Sequence, residues 1–290
     1  MLSEKEHELA SVVIPSYGRD AALQRLIPRI LDQNFPEFEV VVVHQGENPF
    51  TASNERIRVI NYSHPIGLPM ARNVGIDAAC GKYIAFIDDD AYPESPNWLA
   101  ELIVPFSESS SIGAVGGRVV PPGHPPGHVV GDRKPVGRIV RNSLGMYKII
   151  ANFGLEGRTD ADHLPGGNFV VARHALESLH RPYFNPAFVG LSYREETDFF
   201  LRLRKSGFRL VHAGNGTVIH EALPYGGVRK SRALGAYWNG YGDAILFRNA
   251  FWDGTSSSTF RFLVQEGLFD WTRYQPSKIV GCIVGLRRFR

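Results

Sequence analysis

Tyr83-Ile84-Ala85-Phe86-Ile87-Asp88-Asp89-Asp90 decides how this chain is read. An apolar run long enough for a buried strand ends in three successive carboxylates. They repel one another, and in a partly buried loop they are costly unless something pairs with them. A divalent cation relieves that cost, and hard oxygen ligands suit Mg²⁺ or Mn²⁺, both of which commonly sit against a diphosphate. Taken alone, the triplet is explained equally well as an acidic turn in solvent.

The surroundings favour the first reading. Residues 11–15 and 39–43 are apolar strands, and residues 57–61 a third. Between them, residues 19–33 carry Leu23, Leu26, Ile27, Ile30 and Leu31 at helical spacing, with Pro28 as a point of kinking. A further helix runs from about Pro69 to before Gly81. This alternation predicts βα units around a mostly parallel sheet, with the triplet at a strand's carboxyl end, where ligands bind in open α/β sheets.

Downstream, Ser95-Pro96 opens a predicted helix over 97–106, and residues 112–120 read as one strand. Residues 121–135 hold five prolines and three glycines, which predicts a surface loop of the kind that can serve as a lid. His124 and His128 within it are read as solvent-facing, because proline breaks the spacing a metal site would use. A second α/β half follows: a strand over 169–172, a helix over 195–206 closed by Gly207, and strands over 208–211 and 217–220. Residues 229–248 then show Leu234, Tyr237, Trp238, Tyr241, Ile245 and Leu246 at roughly helical spacing.

Composition bounds the class. The chain has 290 residues, 43% hydrophobic and 21% charged, as in an ordinary globular protein. A net charge of +3 is too mild to argue for nucleic acid as a partner. Cys80 and Cys282 lack metal-type spacing and are expected to be reduced and buried, which fits a cytoplasmic protein. The polar, acidic start is unlike a secretory signal, and the apolar run over 279–286 is too short to span a bilayer.

In Arg194-Glu195-Glu196-Thr197-Asp198-Phe199-Phe200-Leu201-Arg202-Leu203-Arg204, acids open a helix and cations close it. Dipole matching, an Asp198–Arg202 pair and an inward face of Phe199, Phe200 and Leu203 explain much of this. They explain the adjacent Glu195 and Glu196 less well, and a carboxylate above the helix N-terminus can act as a general base. His220 closes an apolar strand, as a hydrogen-bonded structural residue or as a metal ligand.

Taken in order, the chain resembles the inverting family-2 glycosyltransferases of the GT-A fold over about residues 11–221. The matching segments are Val12-Val13-Ile14-Pro15-Ser16-Tyr17-Gly18-Arg19, Gly67-Leu68-Pro69-Met70-Ala71-Arg72-Asn73-Val74-Gly75, and Gly81-Lys82 with the strand and triplet quoted above. Gly166-Gly167-Asn168-Phe169, Glu195-Glu196-Thr197-Asp198 with Arg202-Leu203-Arg204 and Gly207-Phe208, and Val218-Ile219-His220 complete the set. The resemblance implies a nucleotide-binding half over 1–120 and an acceptor half over 121–222, followed by a helical extension over 223–290. It implies that Asp88 and Asp90 form an Asp-any-Asp metal site with His220 as a further ligand. Pro15, Tyr17, Arg19, Asp88 and Asp89 would line the nucleotide-sugar pocket, and Arg72 would reach the base or phosphates. Glu196 falls at the base position, with Glu195 as its neighbour in a Glu-Glu variant of the family's Glu-Asp pair.

Where the family commonly places a uracil-reading aspartate, this chain has Val43-His44-Gln45, so Gln45 is the candidate base contact. UDP or dTDP sugars are the favoured donors. The resemblance also implies a saccharide or lipid-linked acceptor and a role in bacterial cell-surface polysaccharide or glycolipid assembly. Lys278, Arg287, Arg288 and Arg290, with no acid among the last fifteen residues, suggest a peripheral contact with the inner face of the plasma membrane. Two rivals are weaker. A sugar-phosphate nucleotidyltransferase should open with a longer Gly-rich loop than Ser16-Tyr17-Gly18-Arg19, and a non-catalytic nucleotide-sugar binding module should lack the acid pair and His220.

Overall fold

A computed structural model describes residues 9–123, 135–143, 146–223, 231–266 and 276–288. His124, His128 and Arg290 lie outside the described residues.

The chain opens with β1 (Ala10–Tyr17), α1 (Asp20–Leu31), β2 (Phe38–Gln45), β3 (Ile57–Tyr62), α2 (Leu68–Ala78) and β4 (Tyr83–Ile87). The four strands are mutually parallel in the order β4-β1-β2-β3, with Ala10 opposite both Phe38 and Tyr83. Val12 to Ile14, Val40 to Val43 and Ile84 to Ile87 are wholly or almost wholly buried, as unbroken apolar runs require in a sheet covered on both faces. Helix α1 contributes to that cover with Ala22, Leu23, Leu26, Ile27 and Ile30, while Pro28 sits on its exposed side.

Then come β5 (Ala91–Pro93), α3 (Trp98–Ile103) with a 3₁₀ turn over Val104–Glu108, β6 (Ile112–Gly116), β7 (Val119–Val120), β8 (Arg138–Arg141), β9 (Tyr147–Ile150) and β10 (Thr159–Ala161). The remaining elements are β11 (Asn168–Ala172), α4 (Arg173–Glu177), α5 (Glu195–Lys205), β12 (Arg209–His212), β13 (Val218–His220), α6 (Arg232–Leu246), α7 (Ser256–Gln265) and α8 (Pro276–Arg287). The large sheet has the order β10-β12-β6-β11-β4-β1-β2-β3, with β11 antiparallel to both its neighbours. A large, mostly parallel sheet with flanking helices and a helical C-terminal extension is the GT-A-type α/β architecture expected from the sequence.

Two expectations need correction. Residues 112–120 are not one strand: β6 stops at Gly116, and the chain crosses to a second sheet, β5-β13-β7. Asn168 holds that crossing, because its Nδ2 donates to the carbonyls of Arg118 and Gly216 at 2.8 Å each and its Oδ1 accepts from Trp98 Nε1 at 2.8 Å. Cys80, expected to be buried, is exposed, whereas Cys282 is buried.

The extension packs as one seam. A Cβ on Gly281 of α8 would overlap the Tyr237 carbonyl of α6, and one on Gly240 of α6 would overlap the Lys278 carbonyl, so only glycine lets these backbones touch. The opposite face of α8 leaves Val280, Ile283 and Val284 exposed. No helix among the described residues is long and apolar enough to cross a membrane.

Candidate functional site

The sheet sets out the site. β1, β2 and β4 end side by side, so Pro15, Tyr17, Gln45 and the carboxylate triplet share one cleft of about 370 Å³. The small sheet supplies the rest. β13 runs antiparallel to β5 with His220 opposite Ala91, which brings the imidazole Nε2 to 3.1 Å from Asp90 Oδ1 across 130 residues of sequence. One ligand atom from each of Asp88, Asp90 and His220 lies within 4.8 Å of the others. Two hard carboxylates and one imidazole, open to the cleft, fit Mg²⁺ or Mn²⁺ with coordination positions left for phosphate oxygens and water.

The three aspartates differ in environment. Asp89 is buried and accepts from Arg19 Nη1 and from Ser16 Oγ, each at 2.7 Å. Burial pushes its carboxyl above the ordinary value, and the Arg19 charge resists that shift. Arg19 also reaches Asp90 at 3.0 Å. Burial disfavours the Arg19 charge, yet Asp89 and Asp90 outweigh it and hold the guanidinium above its usual value. Asp89 therefore anchors Arg19 at the cleft wall, while Asp88 and Asp90 converge with His220.

Gly166 and Gly167 lie next to the acid pair and the triplet respectively. A Cβ on Gly167 would overlap the Asp88 carboxylate, and one on Gly166 would lie 3.3 Å from Glu196 Cγ. Glu196 thus lies against Gly166 and Asp88 against Gly167. Its partner Glu195 is wholly buried and ion-paired with Arg72. Arg72, itself 1% exposed, also donates to the Gly166 carbonyl at 2.7 Å and approaches Asp88 at 3.5 Å. Complete burial pushes the Arg72 guanidinium below its ordinary value, against the charges of Asp88 and Glu196.

Arg72 is thus bonded within the protein, to Glu195 and to the Gly166 carbonyl, and is not among the residues lining the cleft. Gln45 lines the cleft, and its Oε1 accepts from the Ile66 and Gly67 N–H groups at 2.8 and 3.1 Å, so it fixes the 65–67 loop beside the cleft. Sequence reasoning missed Ser16, Leu191, Tyr193 and Asn239, which also line the cleft. Ser16 stands inside a quoted motif and was within reach; the other three come from a loop and a helix that carry no donor signature.

Helix α5 places the acids. Asp198 Oδ2 accepts from Arg202 Nε at 2.9 Å, and Phe199, Phe200 and Leu203 are fully buried, so the helix cannot rotate about its axis without opening the core. Arg194, at φ +74°, turns the chain into α5 and donates to Asp243 of α6 at 3.0 Å.

Residues 11–176 match the family model described as Glycosyl transferase family 2. The "Uncharacterized glycosyltransferase EpsJ" of Bacillus subtilis is 34% identical over 95 residues, 30% of this chain and 27% of that protein, so the match covers about a quarter of the relative's length. Among solved structures, the mannosyltransferase PcManGT from Pyrobaculum calidifontis, in complex with GDP-Man and Mn²⁺, superposes with a TM-score of 0.59 at 14% identity, covering 99% of this chain and 89% of that one. S. aureus TarS 1–349 in complex with UDP-GlcNAc does so with a TM-score of 0.55 at 17% identity, covering 91% and 74%. At these identities the likeness is one of fold. The sequence match extends over more than half of the chain, on the sheet that carries the carboxylate triplet, and this chain belongs to glycosyl transferase family 2.

Proposed function

We propose that this glycosyltransferase is metal-dependent and inverting, moving a sugar from a nucleoside-diphosphate donor to an acceptor hydroxyl. The observation that carries the reading is the convergence of Asp88, Asp90 and His220 in the cleft, with Gly167 against Asp88 and Glu196 against the adjacent Gly166. Asp88, Asp90 and His220 would hold Mg²⁺ or Mn²⁺. When bound, the cation supplies Lewis-acid stabilisation to the departing diphosphate. Pro15 and Tyr17 flank the nucleotide, and Arg19 is held against the triplet by Asp89. Glu196 takes the acceptor hydroxyl proton as that oxygen attacks the anomeric carbon from the face opposite the leaving group. The bond to the diphosphate oxygen breaks with its electron pair, and no covalent enzyme intermediate forms.

A uridine or thymidine donor is the inferred class, supported by Gln45 lining the cleft at the position where the family commonly reads uracil. Nucleotide release measured across a donor panel, with Mg²⁺ and with Mn²⁺, tests both statements. Turnover is expected with UDP or dTDP sugars and a divalent cation; turnover in chelator removes the metal, and turnover with purine donors alone removes the pyrimidine assignment.

A lipid-linked acceptor in cell-surface polysaccharide or glycolipid assembly is the proposed setting. In support, α8 turns Val280, Ile283 and Val284 outward beside Arg287 and Arg288 and carries no acid. Sedimentation with anionic vesicles at low salt is expected, and replacing Ile283 and Val284 by Asp should weaken it; equal pelleting of the two proteins argues against a membrane face.

A further inference from the structure

The acid pair of α5 stands at the end of a turn that its own residues do not favour. Ser192 and Arg194 both take positive φ, at +55° and +74°, a region that costs a residue with a side chain. Such a backbone persists only where its surroundings impose it. Here the surroundings are α6, which lies beyond the residues 11–176 of the family match. A Cβ on Gly242 would overlap the Tyr193 carbonyl, so helix and turn touch backbone to backbone. Tyr241 Oη donates to the Ala187 carbonyl at 3.2 Å, and Asn249 Nδ2, just past α6, donates to Asp198 Oδ1 at 2.9 Å.

The ion pairs follow the same path. Arg194 donates through Nε to Asp243 Oδ1 at 3.0 Å. Asp243 Oδ2 lies 3.4 Å from Lys278 Nζ of α8, and Lys278 pairs in turn with Glu266, which follows α7. The Asp243 and Glu266 side chains are each only 8% exposed, so water screens these pairs little. At the other end of this chain of charges, Arg194 is two residues before Glu196 and feels its charge, as does Tyr193. Among the described residues Arg194 pairs with Asp243 and not with Glu196. The guanidinium is thereby committed to α6, and the Glu196 carboxylate is left to act.

We infer that Arg194 and Asp243 are the positioning pair of the proposed base: their bond holds the turn that sets the place of Glu196, and Lys278 of α8 steadies Asp243 from behind. The inference rests on the glycosyl-transfer reading above, in which Glu196 takes the acceptor proton. The C-terminal extension is then part of how the base is set, although Asp243 does not line the donor cleft.

Two variants test this in the full chain, each alone, together, and in a Glu196→Gln background. Nucleotide release is read with the UDP or dTDP sugar that the donor panel selects, with water and p-nitrophenyl glycosides as acceptors. Asp243→Asn should lower kcat about tenfold with donor Kd unchanged, because a displaced base loses its alignment with the acceptor. Arg194→Gln should do the same, and it leaves Asp243 its second cation, Lys278, so it strands less charge if Asp243→Asn folds poorly. The double variant should be no worse than either single one, since both changes break one bond. In the Glu196→Gln background neither change should lower the residual turnover further, because no base remains to be displaced. An unchanged kcat in both single variants overturns the inference. So does a loss that recurs in full in the Glu196→Gln background, or the unfolding of both single variants, each of which marks the pair as structural. Wild-type turnover in Glu196→Gln removes the base assignment and the inference with it, and a wild-type protein that turns over no donor removes the glycosyl-transfer reading itself.

Discussion

Asp90→Ala is expected to abolish transfer with the fold intact. Asp90 is the member of the triplet placed against His220, so the variant removes a direct ligand and with it stabilisation worth several kcal/mol in the transition state. Arg19, which also pairs with Asp90, keeps the bond from Nη1 to Asp89 at 2.7 Å, and the Asp90 carbonyl that accepts from Glu221 N at 2.8 Å is backbone and survives the change. Melting temperature should therefore hold while donor affinity in Mn²⁺ falls. A variant with near-wild-type turnover and unaltered metal binding would falsify the assignment of the cation site.

Glu196→Gln should keep donor affinity and lower turnover by ~10²-fold or more, because only proton transfer loses its acceptor. Its neighbour gives the contrast. Glu195→Gln leaves the buried Arg72 guanidinium without its full counter-charge, and breaking a buried pair from one side costs about 3–5 kcal/mol. That variant should show its main effect in a thermal melt. If Glu195→Gln melts normally and loses turnover while Glu196→Gln is nearly unaffected, the two roles are exchanged.

Much of the donor side was legible along the chain. β4 spans the residues read as the strand before the triplet, and α5 starts at Glu195 as expected. Both are local: an unbroken apolar run closed by charge, and acids leading into cations on a helix with an apolar stripe, state their structure within a dozen residues. The N-terminal alternation of strand and helix fixed the parallel sheet for the same reason, because βα crossovers leave little choice of topology. Weaker local signals were lost. The short strands β5, β8, β9 and β10 hold too few residues for a period of two to stand out, and β7 was merged with β6 because nothing in Gly116-Gly117 reveals that the chain changes sheets there.

What the sequence determined by itself was the fold class, the strand-end position of the three aspartates and the family. Only the tertiary structure decided how the candidates divide their work. Pairing of β13 with β5 brings His220 to Asp90, and nothing near either residue in sequence encodes that distance. Of two adjacent glutamates, one is sealed against Arg72 and the other is left beside Gly166, a difference set by side-chain direction on a helix whose apolar face is fixed by Phe199 and Phe200. Arg72 is bonded to the Gly166 carbonyl and Gln45 to the Ile66 and Gly67 N–H groups, because burial obliges a charged or amide group to find partners.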